Sequence, residues 1–234
     1  MSSAEVTSQD SGESMTAFRR WMIMAAIMCS TTLYAMTILI VSVVLPQMQG
    51  SLSATPDQIT WVMTFNILAT AVVTPVSGWL AGRFGWRNVM LVSQAGFCIS
   101  TFLCGIAESL EALVFFRILQ GGFGAPTIPL AQAIILDIFP RRQHSLVTSI
   151  FGMGVVVGPI FGPVLGGYLT ELYNWRFAFY MLVPLALVGF VSLWVFLSDG
   201  GRQARLRFDW TGFMLLAAAL SCLQLVLDRG QRLD

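Results

Sequence analysis

The stretch GMGVVVGPIFGPVLGGYL (residues 152–169) decides how this chain folds. It places six glycines and two prolines among apolar residues. In water, each interior glycine destabilises a helix by roughly 1 kcal/mol and each interior proline by about 3 kcal/mol. In a lipid bilayer, glycines instead let two helix backbones approach closely, so the stretch is typical of a membrane-spanning helix that packs tightly against another.

The spacing of these residues predicts which face of the helix packs. Four glycines recur every four residues and would form one ridge: Gly154, Gly158, Gly162 and Gly166. Pro159 and Pro163 repeat at the same spacing and are expected to bend or stiffen the helix, and Gly167 adjoins the ridge. A single pair of glycines at this spacing would be typical of any helix dimer. Three consecutive steps with two prolines favour a more specialised packing motif.

Composition supports a membrane protein throughout. The 234 residues are 56% hydrophobic and 11% charged, with a mean hydropathy of +0.75, whereas ordinary soluble domains carry about 25% charged residues. The sequence therefore predicts an all-α integral membrane protein, with the lipid bilayer as its surroundings. A net charge of +1 gives no reason to expect a nucleic-acid partner.

The residues that usually carry catalysis or bind metals are scarce. The chain has one histidine, His144, and four cysteines, Cys29, Cys98, Cys104 and Cys222. The cysteines lie in apolar runs without the spacing of metal ligands, so we interpret them as small packing residues. The sequence predicts no metal site, no cofactor and no enzyme.

Seven apolar runs are long enough to cross a bilayer, which takes about 20 residues. They cover residues 21–44, 58–80, 88–107, 110–136, 146–169, 176–197 and 210–228. The first is expected to be broken at Pro46, and the second to end at a turn over residues 78–85. The first six predict a six-helix bundle over residues 21–197, and the seventh predicts one further transmembrane helix. Residues 1–20 are expected to form a disordered cytoplasmic tail, 198–209 a cytoplasmic loop, and 229–234 an external end. The abrupt end after the seventh run favours a truncated sequence over a complete seven-helix protein.

Arginines indicate the orientation of these spans. Nine flank one side of the predicted membrane: Arg19, Arg20, Arg83, Arg87, Arg141, Arg142, Arg202, Arg205 and Arg207. The connections on the opposite side carry Arg176 alone. Basic residues are enriched in cytoplasmic loops, so the amino terminus is expected to be cytoplasmic and the membrane to be the plasma (inner) membrane.

One charge lies clearly inside a predicted span. Arg117 is about two turns into the fourth run, and Gln120 follows one turn later. One interpretation is structural, with Arg117 reaching the outer interface or binding backbone carbonyls of neighbouring helices. The other is functional, with Arg117 and Gln120 lining a polar cavity that binds substrate or tunes proton movement.

Two further groups lie at the predicted cytoplasmic side. Gly78, Gly82 and Gly85 would allow a tight crossing next to Arg83 and Arg87, in a gating loop that would close the cytoplasmic side, although the arginines alone would satisfy an ordinary cytoplasmic loop. Separately, Asp137 precedes Arg141 by four residues, a spacing that predicts an ion pair of structural or gating role.

These segments together resemble the major facilitator superfamily, in particular its fourteen-span drug:proton antiporter branch. The segment from Gly78 to Arg87 is similar to the signature of the loop between helices two and three. Arg117 to Gly124 is similar to the helix-four signature, and Gly154 to Gly167 to the antiporter signature of helix five. The resemblance covers about residues 21–234. It implies two six-helix bundles around a central cavity, with this chain holding the first bundle and one extra helix.

The resemblance also implies a function. It implies export of small amphiphilic or drug substrates in exchange for protons, with a missing carboxyl-terminal bundle as partner. Thr37 and Ser42 stand where the branch usually has Asp and Asn in helix one, and they would line the cavity with Arg117 and Gln120. Gly82 replaces the usual loop Asp. A proton-coupling carboxylate is then expected in the second bundle. The alternative is a truncated or half-size membrane protein that does not transport on its own.

Overall fold

Helices fill almost all of the chain that the structure describes. The computed structural model describes residues 16–197 and 208–230. Within these ranges there are ten α-helices and no strand: α1 (Ala17–Ser51), α2 (Pro56–Val73), α3 (Val76–Phe84), α4 (Trp86–Ile106), α5 (Leu110–Gly124), α6 (Thr127–Ile138), α7 (His144–Leu172), α8 (Arg176–Tyr180), α9 (Leu182–Phe196) and α10 (Trp210–Gly230). A short 3₁₀ turn, Arg141–Gln143, precedes α7.

Six segments of the described chain are long and apolar enough to cross a membrane, if one bent pair is taken as a single span. They are α1, the α2–α3 pair, α4, Leu110–Ile138, Arg141–Leu172 and Arg176–Phe196. The predicted all-helical membrane bundle is therefore confirmed. The helix α10 forms where the seventh span was predicted, with a shorter apolar part, Trp210–Gln224.

The first helix is longer than predicted at both ends. Thr16 caps it by accepting a hydrogen bond from the Arg19 backbone N–H at 3.4 Å, so residues 17–20 are helical rather than part of a disordered tail. Residues 1–15 lie outside the described part. The expected break at Pro46 is also absent, because α1 continues to Ser51. Proline removes one backbone hydrogen bond, but lipid offers no other partners for its neighbours, which therefore stay helical.

The connection between the second and third spans also differs from the prediction. We expected a turn over residues 78–85, but Gly78, Gly82 and Arg83 lie on α3. Only Gly85 separates α3 from α4, with a φ of 84° that favours glycine. The larger break lies earlier, at Thr74 and Pro75, where the two helices meet at 53°. Thr74 and Pro75 both keep helical dihedral angles, but Pro75 has no backbone N–H to continue the helical hydrogen bonds, which explains this position.

Parts of the predicted carboxyl-terminal organisation fall outside the described residues. This applies to residues 198–207 of the predicted cytoplasmic loop and to residues 231–234 of the predicted external end. Asp209 precedes α10 and accepts a hydrogen bond from the Gly212 backbone N–H at 2.9 Å, as an N-terminal cap does. The helix then runs to Gly230 rather than ending at residue 228.

The first helix is central to the packing of the bundle. One buried apolar cluster gathers residues such as Val41 and Phe179, and a second gathers residues such as Ile27 and Ile134. The helix α1 runs through both clusters and packs against α7 and α9, while α5 packs against α2 and α4. In lipid such contacts stabilise the fold mainly through close van der Waals packing, because the lipid tails are as apolar as the side chains.

Candidate functional site

The centre of the candidate site is Arg117 on α5. Its side chain is only 1% exposed. The guanidinium donates one hydrogen bond from Nε to the Val62 carbonyl at 3.3 Å and another from Nη1 to Gln120 Oε1. Its Cζ lies 5.7 Å from the centroid of the Phe179 ring, within the range of a cation–π contact. Arg117 therefore lies inside the bundle, between α2 and α8.

Gln120 extends this contact across the bundle to α4. It is fully buried and donates from Nε2 to Thr101 Oγ1 at 2.7 Å. The Thr101 hydroxyl donates in turn to the Phe97 carbonyl at 2.7 Å. Because a guanidinium can only donate, the amide oxygen of Gln120 must face Arg117 and its NH₂ must face Thr101. The chain of hydrogen bonds thus has one direction, from Arg117 to α4.

A second set of hydrogen bonds joins α2 to the backbone of α5. Asn66 Nδ2 donates to the Arg117 carbonyl at 2.8 Å, and Thr70 Oγ1 lies 3.3 Å from the Gly121 carbonyl. Tyr34 on α1 reaches the same Thr70 hydroxyl at 2.9 Å. A Cβ atom at Gly121 would collide with the Asn66 backbone carbonyl, so only glycine lets the two helices approach this closely.

These partners were not identified from the sequence. Asn66, Thr70 and Thr101 are single polar residues inside apolar runs, and Tyr34 is an aromatic residue in such a run. A buried amide in a span needs a hydrogen-bond partner. Asn66, in the second apolar run, could therefore have indicated a polar contact between helices at this depth. Nothing in the spacing of these residues shows that they meet Arg117, because they lie on three other helices.

Arg117 is not paired with any carboxylate in the described part of the chain. The acidic residues described there all lie in connections or within the terminal turns of helices: Asp57, Glu108, Glu111, Asp137, Glu171, Asp209 and Asp228. The described acceptors of Arg117 are neutral oxygens, the Val62 carbonyl and the Gln120 amide. The site therefore holds a buried positive charge that neutral groups alone stabilise.

Only part of the predicted cavity set meets in the structure. Arg117 and Gln120 contact each other, but both are enclosed within the bundle rather than exposed at its surface. Thr37 is buried elsewhere on α1, and its hydroxyl donates to the Leu33 carbonyl at 2.8 Å. Ser42 is exposed and donates to the Leu39 carbonyl at 2.7 Å. Neither hydroxyl is hydrogen-bonded to Arg117 or Gln120.

The glycine ridge of α7 faces α1. A Cβ atom at Gly158 would collide with the Thr32 carbonyl and lie 2.9 Å from the Met36 backbone nitrogen. At Gly162 it would lie 2.8 Å from the Met36 carbonyl. Because these neighbours are backbone atoms, no side-chain rotation can make room. The two helices meet backbone to backbone at the middle of the ridge.

The ends of the ridge meet side chains instead. A Cβ at Gly154 would collide with Met28, and one at Gly166 would lie 2.6 Å from Ile40 Cγ1. The Gly154 carbonyl also accepts a hydrogen bond from the Thr32 hydroxyl at 2.8 Å. A Cβ added at Gly167 would make only an ordinary van der Waals contact with Val43. The helix α7 continues without a break through Pro159 and Pro163.

In the predicted gating segment, from Gly78 to Arg87, the contact with another span is made by an arginine and not by the glycines. A Cβ at Gly78 or Gly82 would meet open space among the described residues, so these glycines do not mark a close helix contact. Arg87 on α4 donates from Nε to the Leu197 carbonyl at 2.7 Å, next to the end of α9. The Arg83 guanidinium lies 5.7 Å from the Trp79 ring centroid. Arg87 thus ties the start of the third span to the end of the sixth.

The predicted ion pair between Asp137 and Arg141 is absent from the described structure. Both side chains are exposed, and no hydrogen bond or ion pair joins them. The prediction assumed one continuous helix, but α6 ends at Ile138 and Pro140 is extended, with ψ at 148°. The two residues therefore do not share a helix face. The described residues also hold no cluster of three potential metal ligands.

The fold and this site define a polytopic helical membrane protein whose first and fifth spans meet backbone to backbone beside a buried arginine network. Comparison with known proteins identifies its family. The chain belongs to the Major Facilitator Superfamily, whose sequence profile matches residues 27–226.

Individual relatives agree with this assignment. The chain is 38% identical over 212 residues to the multidrug export protein EmrB of Haemophilus influenzae and 36% identical over 210 residues to EmrB of Escherichia coli K12. Each match covers 89% of this chain and 41% of the relative, so the chain spans less than half the length of these relatives. The fold is similar to that of the xylose transporter XylE from E. coli in a partially occluded inward-open conformation, with a TM-score of 0.70 at 14% identity, covering 90% of this chain and 60% of XylE.

Proposed function

We propose that this chain is the amino-terminal part of an exporter of drugs and other small amphiphilic molecules. The exporter would work by alternating access in exchange for protons. The named relatives are multidrug export proteins, and the backbone contact between α7 and α1 at Gly158 is the single structural observation that carries the proposal. The same family background favours transport over enzyme catalysis.

The contact at Gly158 matters because alternating access needs a rigid half. In such transporters one bundle rocks against the other around a site between them. A bundle that deformed during rocking would not transmit the motion. Backbone-to-backbone packing of the fifth span on the first, together with the hydrogen bonds that join α2, α4 and α5, supplies that rigidity.

We propose the orientation and membrane from the arginine distribution. Nine arginines flank one predicted side, whereas the connections on the other side carry one, which supports an amino terminus in the cytoplasm and a location in the inner membrane. The domain organisation proposed with it is a six-helix bundle over residues 21–197, then a cytoplasmic connection, then a seventh transmembrane helix.

The partner that completes the proposed transporter is a second bundle. The face of α7 opposite the ridge is strongly apolar and exposed, with Val156 56%, Ile160 59% and Val164 65% exposed. In the proposed assembly this face contacts lipid or the second bundle. That bundle also supplies the carboxylate for proton exchange, because the described acids of this chain lie only in connections or near helix ends.

Within this proposal the site residues take separate roles. Arg117 and Gln120 set the polarity of the pathway from inside the bundle, and Thr37 and Ser42 lie along α1 on the proposed substrate side. Arg87 holds the cytoplasmic ends of the third and sixth spans together through the Leu197 carbonyl, and Arg83 lies beside Trp79 on the same cytoplasmic segment.

Transport by the complete gene product tests the proposal. The purified protein is placed in lipid vesicles, and movement of a fluorescent drug is followed with and without an imposed pH gradient. We expect accumulation that depends on the gradient and disappears with a protonophore. Arg117→Ala should abolish it at normal expression. Drug movement equal to that of empty vesicles would overturn the proposal, and movement that ignores the pH gradient would overturn its proton coupling.

A further inference from the structure

A cavity of about 610 Å³ lies between the second, third and fourth spans. Its walls are formed by α2 and α3, by the start of α4, and by α5 together with Pro126. This volume is within the range of about 300–1,000 Å³ that is typical of small-molecule sites. One side is open at the surface of the described bundle, where Val92 is 61% and Phe84 is 50% exposed. A molecule can therefore enter the cavity from the surroundings of the bundle.

The cavity is separate from the arginine network. On α5 it is lined by Ile118, Leu119, Gly122 and Phe123, whereas Arg117 is not among the lining residues. An α-helix has about 3.6 residues per turn, so Leu119 and Gly122 lie on a face of α5 directed away from Arg117. The buried guanidinium therefore takes no part in this cavity.

The lining is almost entirely apolar, and none of the described residues that form it carries a charge. Its polar members are Asn88 and Ser93, both on α4. Asn88 is exposed and donates from Nδ2 to the Phe84 carbonyl at 3.0 Å. An ion that entered would lose its hydration without gaining an opposite charge. The cavity is therefore suited to an uncharged and largely apolar molecule.

Ser93 supplies a hydrogen-bond donor in this apolar lining. It is 4% exposed, and within the described residues its hydroxyl has no hydrogen-bond partner. Other buried hydroxyls on α4, those of Ser100 and Thr101, donate to carbonyls three or four residues earlier. A buried hydroxyl without a partner costs free energy, which a bound acceptor recovers. A lipid chain would fill the cavity but leave this hydroxyl unpaired.

The cavity also lies across the bend of the second span. Val73 comes just before the break at Thr74 and Pro75, Leu80 comes after it, and both Val73 and Leu80 line the cavity. The helices α2 and α3 meet there at 53°. A molecule in the cavity contacts both helices, so its binding stabilises this bent arrangement relative to others.

We propose that this cavity binds uncharged, mainly aromatic or aliphatic molecules that carry one hydrogen-bond acceptor, such as aryl ketones. The acceptor binds the Ser93 hydroxyl, and the apolar body fills the space between α3, α4 and α5. The site is independent of the proposed export, because it shares no residue with the arginine network or the glycine ridge.

Tritiated benzophenone tests the site directly, because it is uncharged, has a ketone oxygen and reacts with nearby C–H groups under ultraviolet light. The complete gene product is irradiated with it in lipid nanodiscs, and the labelled peptides are identified. We expect saturable labelling of the peptides that line the cavity. Diphenylmethane has the same two rings without the ketone and should compete about fivefold more weakly than unlabelled benzophenone, the factor that one neutral hydrogen bond supplies. The charged 4-benzoylbenzoate should compete least.

Variants separate the hydrogen bond from the space. Ser93→Ala should weaken benzophenone binding about fivefold and leave competition by diphenylmethane unchanged, whereas Ser93→Thr keeps the hydroxyl and should retain the difference. Gly122→Leu should abolish saturable labelling by filling the cavity, since a Cβ there makes only an ordinary contact with Val73 at 3.9 Å. Gly152→Leu is the matched control, because a Cβ there meets nothing within 4 Å among the described residues, and it should label as the wild type does.

Each contrary outcome has a definite meaning. Labelling spread over the apolar surface and unaffected by Gly122→Leu would overturn the site. Equal competition by diphenylmethane and benzophenone, or unchanged binding in Ser93→Ala, would mean that the cavity holds only hydrocarbon such as a lipid chain, and would overturn the proposed ligand class. Absence of labelling would show that another part of the complete protein fills the cavity. A protein that labels as expected but exports no drug would keep this inference and overturn the proposed function.

Discussion

The glycine ridge of α7 and the arginine network of α5 are both buried contacts between helices, yet they differ in chemistry. The ridge brings backbones together with no side chain between them, as at Gly158 against Thr32. The network joins helices through long polar side chains and carries a charge, at Arg117. Packing of small residues is a means of stabilising helices in lipid, whereas a buried charge costs free energy and is kept for function. We therefore expect the ridge to control stability and the network to control activity.

The largest expected effect is a loss of folding on filling the ridge. Gly158→Leu should lower the free energy of unfolding by about 3 kcal/mol, because the new side chain collides with the Thr32 backbone and cannot rotate away. The thermal midpoint and the folded yield of the complete gene product in detergent measure this. Gly152→Leu is the control on the same helix, since a Cβ there meets nothing within 4 Å in the described residues. Similar losses in both variants would contradict a ridge-specific contact.

The second prediction separates activity from stability at the network. Arg117→Met should lower export about tenfold or more, while the free energy of unfolding changes by about 1 kcal/mol or less. Loss of the donor to Gln120 destabilises the protein, but removal of a buried charge offsets that loss. Initial export rates and thermal midpoints are compared on the same purified samples. Export that falls only in proportion to the folded fraction would make the network structural and remove its contrast with the ridge.

The two regions also differ in how far the sequence predicts them. Glycine every fourth residue defines one face of a helix, so the ridge from Gly154 to Gly166 could be predicted without coordinates. Its partner could not, since the spacing specifies a face and says nothing of what packs on it. For the network, Arg117 and Gln120 lie one turn apart and were found together. Asn66 and Thr101 were missed because their contacts depend on how three helices assemble.

The errors in the prediction share a physical cause. Gly78 and Gly82 were taken for turn residues, and Pro46 for a helix end, by rules that hold in water. In a bilayer a backbone group that leaves the helix finds no water to bind, so the helix continues through such residues. The pair of Asp137 and Arg141 failed for the opposite reason, because Pro140 lies at the membrane end where the chain can leave the helix.

A smaller effect is expected from the polar link between α4 and α5. Thr101→Val removes the acceptor of Gln120 Nε2 and leaves that group buried without a partner. Interhelical hydrogen bonds in membrane proteins average about 0.6 kcal/mol and reach about 1.7 kcal/mol, and the full burial of Thr101 favours the upper part of that range. Thr101→Ser keeps the hydroxyl and is the control. A serine variant as destabilised as the valine variant would show that the methyl group, rather than the hydrogen bond, matters.

The smallest effect is expected from the side-chain hydrogen bond that joins α1 to the ridge. Thr32→Val removes the bond to the Gly154 carbonyl at 2.8 Å and should cost about 0.6 kcal/mol, with Thr32→Ser as the control. Thr32 is only half-buried, and the backbone packing at Gly158 and Gly162 stays in place. Thermal midpoints for Thr32→Val and Thr101→Val, measured together, test the comparison directly. If Thr32→Val were the more damaging of the two, the ridge would depend on polar contacts as the network does, and its stability could not be attributed to packing alone.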